Sequence, residues 1–240
     1  MQKTLTSSGM YSVAGMDFDL YIAAPEAAGT DLPAVFVAHA WDGLNEPVEE
    51  IARRVAGLGY VAVAVDVYGK GVRGDPVGDN SSLIAPFLEN RSLLRERLIA
   101  GLDAIAELDG VDSTRLGAIG YCFGGMCVLE LARAVPGNLR GVVSFHGLLT
   151  ADVDPEPKPI SASVLIEHGW DDPLAPPADF LAFAQEMDSR NADWQAHVYG
   201  GAAHAFTFKR ANRPEEGIVY HEKSDRRSWR AMEAFFEEVL

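Results

Sequence analysis

The chain has 240 residues, 48% of them hydrophobic, enough to bury one sizeable core without disulfide or metal staples. Its 35 acidic residues against 20 basic ones leave a net charge of −15, which repels phosphate backbones and anionic headgroups and argues against nucleic acid or a membrane as partner. The opening MQKTLTSSGMYSVAGMDF has no apolar run behind a basic segment, and no stretch reaches the length of a membrane span, so a cytoplasmic protein is expected.

Strand-like and helix-like segments alternate along the chain. Residues 3–12 and 17–23 suit an antiparallel pair, and PAVFVAHA (33–40) is a continuous apolar run of the kind buried on both faces of a sheet. A helix is predicted over 46–59, with Pro and Glu at its start, Ile51, Val55 and Leu58 on one face and glycine at its end. A strand follows at 60–69. The stretch 68–82 is rich in glycine and polar residues and reads as a long loop, and a helical region spans about 83–108, with Pro86 in its first turns or breaking it. Then come the strand RLGAIGY (115–121), a helix from Gly124, strands at 141–147 and 161–169, a helix over 177–190, a strand at 194–200, and a closing helix that carries Trp229, Met232, Phe236 and Val239 at helical spacing. Repeated strand-helix units predict one α/β domain over 1–240, a mostly parallel sheet with helices on both faces and sites beyond the carboxyl ends of the strands.

Within that frame, Gly120-Tyr121-Cys122-Phe123-Gly124 has the form G-x-C-x-G, a cysteine version of the strand-to-helix nucleophile elbow. The glycines permit a close approach of strand and helix, and the thiol would project near the positive end of the next helix, which favours thiolate. A buried cysteine packed between two glycines would look the same. Two later segments bear on that choice: Asp171 and Asp172 directly follow the strand 161–169, and His204 follows 194–200. The order nucleophile, acid, histidine is that of the α/β-hydrolases, in which a base activates the nucleophile and a carboxylate orients the base. Cys127 reads as core. Neither Cys122–Cys127 nor any histidine pair has disulfide or metal-ligand spacing, and no phosphate-cradling glycine motif is present, so no cofactor and no metal are expected.

From about Asp17 onward the chain resembles the dienelactone hydrolase family of α/β-hydrolases, through HAWDGLN (39–45), DVYGKG (66–71), GYCFGG (120–125), GWDDPLAP (169–176) and GGAAHAF (200–206). The resemblance implies Cys122 as nucleophile, His204 as base, and Asp172, in register with Pro176, as the carboxylate. It further implies an oxyanion hole from the backbone N–H groups of Phe123 and Trp41, with Lys70 and Tyr68 near the substrate. Ala40 stands where well-known members carry a glutamate that takes the thiol proton, and Phe208 stands where they carry a second arginine. The expected activity is cofactor-free hydrolysis of a small ester or lactone through an acyl-thioester; the alternative is a hydrolase-fold protein that binds a small molecule with little turnover. His39, His146 and His168 lie near strand ends, as pocket or core residues.

Overall fold

The chain opens on a hairpin: β1 (Thr4–Val13) reverses through Ala14-Gly15, both in left-handed backbone, into β2 (Met16–Pro25), in register from Thr4↔Pro25 to Val13↔Met16. The computed structural model describes residues 3–26, 29–76, 78–151 and 156–240, so residues 152–155 of the proline-rich connection and position 77 of the long glycine-rich loop lie outside the described residues. After the hairpin come β3 (Leu32–Ala38), α1 (Glu46–Ala56), β4 (Val61–Val65), α2 (Ser81–Glu89), α3 (Arg91–Ala106), β5 (Val111–Tyr121) and α4 (Phe123–Ala134). The remainder is β6 (Leu139–Phe145), β7 (Ser163–Gly169), α5 (Pro177–Ser189), β8 (Trp194–Tyr199), the short strands β9 (Asn212–Arg213) and β10 (Ile218–Val219), and α6 (Glu222–Val239).

Eight strands form one sheet in the order β1-β2-β4-β3-β5-β6-β7-β8, antiparallel across β1-β2 and β2-β4 and parallel from there on. The parallel strands read as unbroken apolar runs because both faces are covered; all five residues of β4, VAVAV, are buried. α2 to α5 cover one face through Phe87, Leu94, Leu98, Leu102, Met126 and Phe183, while α1 and α6 cover the other through Val48, Val55, Met232 and Phe236. Each of these buried side chains contributes about 2 kcal/mol relative to exposure.

Three boundaries differ from the sequence reading. The helical region 83–108 is two helices, and the break falls at Asn90 rather than at Pro86. The Asn90 side chain accepts from the Leu93 N–H at 3.0 Å and caps α3, while its own N–H closes α2 on the Pro86 carbonyl. The last helix begins at Glu222, seven residues before Trp229, the first of the apolar residues that mark it in the sequence. Between β8 and α6, where the sequence reading assigns no element, β9 and β10 pair in antiparallel register, Ile218↔Arg213. Among the described residues no helix is long and apolar enough to cross a membrane.

Candidate active site

Cys122 lies between the last residue of β5 and the first of α4 at φ 56°, ψ −116°, a backbone conformation that L-residues adopt at a cost. Two hydrogen bonds hold it there: its N–H donates to the Phe145 carbonyl of β6 at 3.1 Å, and its carbonyl accepts the first helical bond from Met126. The flanking glycines are steric requirements. A Cβ on Gly124 would stand 2.5 Å from the Ala38 carbonyl oxygen of β3, and one on Gly120 would overlap the Gly124 carbonyl. The turn thus lifts the Cys122 side chain, which is partly exposed, over the sheet end, whereas Cys127 one turn on is fully buried and its thiol is pushed well above the ordinary range by burial and then by the Glu130 charge.

Two strand ends away, His204 and Asp172 meet. Asp172 Oδ2 is 2.8 Å from His204 Nδ1, and Oδ1 accepts from the Leu174 N–H at 2.8 Å, so both carboxylate oxygens are occupied. Asp171 instead donates its N–H to the Ala202 carbonyl and keeps its side chain exposed. Backbone bonds on both sides seat His204: its N–H donates to the Gly217 carbonyl at 2.8 Å and its carbonyl accepts from Val219 at 3.1 Å, an isolated bridge to Ile218. The β9–β10 pair therefore belongs to the site, although no periodicity in those residues signals it.

The electrostatics of His204 run against its burial. Burial alone lowers its proton affinity, but the Cys122 charge, the hydrogen bond to Asp172 and the Asp172 charge outweigh it and raise the pKa to about 10. Among the described residues the outer ring nitrogen, Nε2, has no hydrogen-bond partner in the resting protein. Hydrogen bonds between a nucleophile and its base are often long until substrate is bound.

The loop after β3 carries Trp41. Among the described residues neither the Trp41 nor the Phe123 N–H donates to a backbone carbonyl in a turn or loop, and Phe123, as the first residue of α4, has no helical partner to give to. Tyr68 holds this loop: it is buried, its hydroxyl donates to the Trp41 carbonyl at 2.9 Å, and its ring packs on His39, Phe87 and Phe123. The hydroxyl of Tyr68, expected near the substrate, is thus spent on the Trp41 loop. Lys70, the other residue expected near the substrate, is exposed, with its Nζ 3.3 Å from Met10 Sδ of β1.

The remaining histidines separate. His39 is a satisfied core residue, neutral because burial lowers it to about 4; its Nε2 accepts from the Val67 N–H and its Nδ1 donates to the Ala40 carbonyl at 2.7 Å. His168 is buried, stacks on Phe180 with ring centroids 5.4 Å apart and, among the described residues, has no hydrogen-bond partner for either ring nitrogen. His146 packs on His204 itself, with centroids 5.2 Å apart. No group of three or more His, Cys, Asp and Glu that could hold a metal ion is present among the described residues.

The sheet order, the helices on both faces and the strained strand-to-helix turn after β5 define an α/β-hydrolase. Within that class the chain belongs to the dienelactone hydrolase family, whose model matches residues 18–240. It is 30% identical to a Salmonella typhimurium protein provisionally named carboxymethylenebutenolidase, over 96% of this chain and 87% of the relative. It is 31% identical to a Bradyrhizobium protein provisionally named 2-oxo-3-(5-oxofuran-2-ylidene)propanoate lactonase, over 81% and 82% of the two chains. Among solved structures, a dienelactone hydrolase-like promiscuous phosphotriesterase from metagenomic libraries superposes with a TM-score of 0.93 at 34% identity over 98% of both chains.

Proposed function

We propose that the protein hydrolyses a small carboxylic ester or lactone through an acyl-thioester on Cys122. The Cys122 thiolate attacks the substrate carbonyl, and the developing oxyanion is received by the N–H groups of Phe123 and Trp41. His204, charged while Cys122 is, gives its proton to the leaving alkoxide as the tetrahedral adduct collapses to the thioester. Water then attacks the thioester with neutral His204 as general base; the acid leaves and the proton returns to the pair. Asp172 holds the imidazole tautomer throughout. Ala40 offers no carboxylate, so activation falls to His204 alone.

One observation carries this reading: His204 is bonded to Asp172 at 2.8 Å, and the residue at the strained strand-to-helix turn after β5 is Cys122. It is tested with p-nitrophenyl esters and small enol-lactones, wild type beside Cys122→Ala. The expected result is burst kinetics and a trappable thioester in the wild type and loss of both in the variant. A fully active Cys122→Ala protein would overturn it, and a wild type that binds these compounds without turnover would favour a binding protein.

A second reading is favoured by one comparison: the similar solved structure is described as a promiscuous phosphotriesterase. The same nucleophile and the same two N–H donors suit a phosphoryl centre, whose oxyanion also needs donors. Paraoxon turnover that disappears with Cys122→Ala would support it; stoichiometric inactivation without turnover would limit the enzyme to carboxylic esters.

A further inference from the structure

Three non-glycine residues in left-handed backbone gather at the site: Cys122 at φ 56°, His146 at φ 38° and Ala205, directly after His204, at φ 56°. The other four among the described residues, Ala14, Asp31, Val135 and Asn191, stand in the hairpin turn, before β3 and beyond the ends of α4 and α5, where the chain reverses. Strain kept at a site implies that the surroundings enforce it. The conformations at Cys122 and Ala205 place the nucleophile and the histidine, whereas the one at His146 places no reacting group.

His146 is tied to three strand ends. Its N–H donates to the Glu167 carbonyl of β7 at 2.8 Å, and the carbonyl of Phe145 before it accepts the Cys122 N–H. Its Nε2 lies 2.8 Å from Thr207 Oγ1 in the loop after His204. Its buried ring meets His204 at an interplanar angle of 69° and Phe206 at 79°, both with centroids 5.2 Å apart. A phenylalanine would fill this space without leaving a buried, unpaired Nδ1, so packing alone does not explain a histidine here.

We infer that His146 is a positioning residue: clamped by Thr207, its ring walls the His204 imidazole so that Nδ1 stays on Asp172 and Nε2 stays turned to Cys122. This rests on the reading of Cys122, His204 and Asp172 given above. Asp172 fixes one ring nitrogen, which still lets the imidazole tilt, and an edge-on neighbour removes that freedom. The wall works because His146 is neutral; burial and then the His204 charge drive its proton affinity well below the ordinary range. The titratable groups facing the pair are Cys122 from the elbow, Tyr121 from β5, and His168 and Asp172 from the end of β7 and the loop after it. None of them replaces the wall, since Cys122, His168 and Asp172 act on His204 through charge or a hydrogen bond and Tyr121 meets the ring of His146.

The test uses full-length protein, a p-nitrophenyl ester and the variants Thr207→Val, His146→Phe, their double mutant and His146→Ala. Thr207→Val and His146→Phe each break the clamp and keep a ring, so each should lower kcat about fivefold at unchanged KM, and the double mutant should be no worse than either. His146→Ala loses the wall as well. It should cost at least about tenfold in kcat and move the upper limb of the pH-rate profile to lower pH, because a swinging ring loses the hydrogen bonds that raise its proton affinity. Unchanged kcat and pH limb in Thr207→Val, which removes only a hydroxyl from a partly exposed residue, would overturn the inference, as would full additivity in the double mutant. A dead Cys122→Ala beside unaffected Thr207→Val and His146→Phe sinks this inference alone; an active Cys122→Ala sinks the reading beneath it.

Discussion

His204 Nδ1 lies 2.8 Å from Asp172 Oδ2, a contact between residues 32 positions apart that leaves the adjacent Asp171 facing solvent. One backbone step separates a carboxylate that orients the imidazole from one whose side chain faces away from it. Asp172→Asn should lower kcat/KM by about 10³–10⁴-fold by favouring the wrong tautomer. Asp171→Asn should change it by less than about twofold. Initial rates on p-nitrophenyl butyrate decide, and comparable losses in both would reject the assignment.

The raised pKa of His204 has a pH signature. In the wild type its imidazole should titrate near pH 10 by NMR, and in Cys122→Ala well below that, since the Cys122 charge that raises it is then gone. Because the folded value lies above the unfolded one of about 6.5, the contribution of His204 to stability is complete below pH 6.5 and is lost as pH rises through about 10. Denaturant midpoints should accordingly decline over that window in the wild type and over a narrower one in Cys122→Ala.

Gly124→Ala places a methyl group 2.5 Å from the Ala38 carbonyl oxygen and 2.7 Å from that of His39, both main-chain atoms that cannot rotate away. The expected loss is at least about 2 kcal/mol of unfolding free energy in urea, with activity falling as the elbow shifts. A stable, active variant would show that the β3–α4 contact is looser than these distances require.

Tyr68→Phe removes the hydroxyl that holds the Trp41 carbonyl. Stability should fall by about 1 kcal/mol. If the Trp41 amide receives the oxyanion, kcat should also fall, by about tenfold, less than the 10²–10³-fold for a donor removed outright, while KM changes little. A change in KM alone would show Tyr68 acting on substrate binding, the role expected from the sequence.

Much of the architecture is legible in the sequence because strand and helix signals are local. The run VAVAV reads as a strand buried on both faces, and the apolar spacing of α6 as a helix on the sheet. The differences have local causes too. Asn90 outcompetes Pro86 as the breakpoint because a side-chain cap satisfies an early amide of α3, whereas Pro86 costs α2 only one donor. The first turns of α6, Glu222–Arg227, are mostly polar and carry no apolar period to announce a helix, though Ser224 is buried.

An α/β sheet, the G-x-C-x-G turn and the chain order cysteine, aspartate, histidine follow from the sequence alone, because each depends on residues next to one another or on their order. The folded arrangement was needed to show that Asp172, not Asp171, reaches His204, that the Tyr68 hydroxyl meets the Trp41 carbonyl and Lys70 meets Met10 of β1, and that His146 stands against His204. Those outcomes depend on where strands β6, β7 and β8 end relative to one another in space. A shift of one residue at such an end turns a side chain into or out of the site, and no local period records that shift.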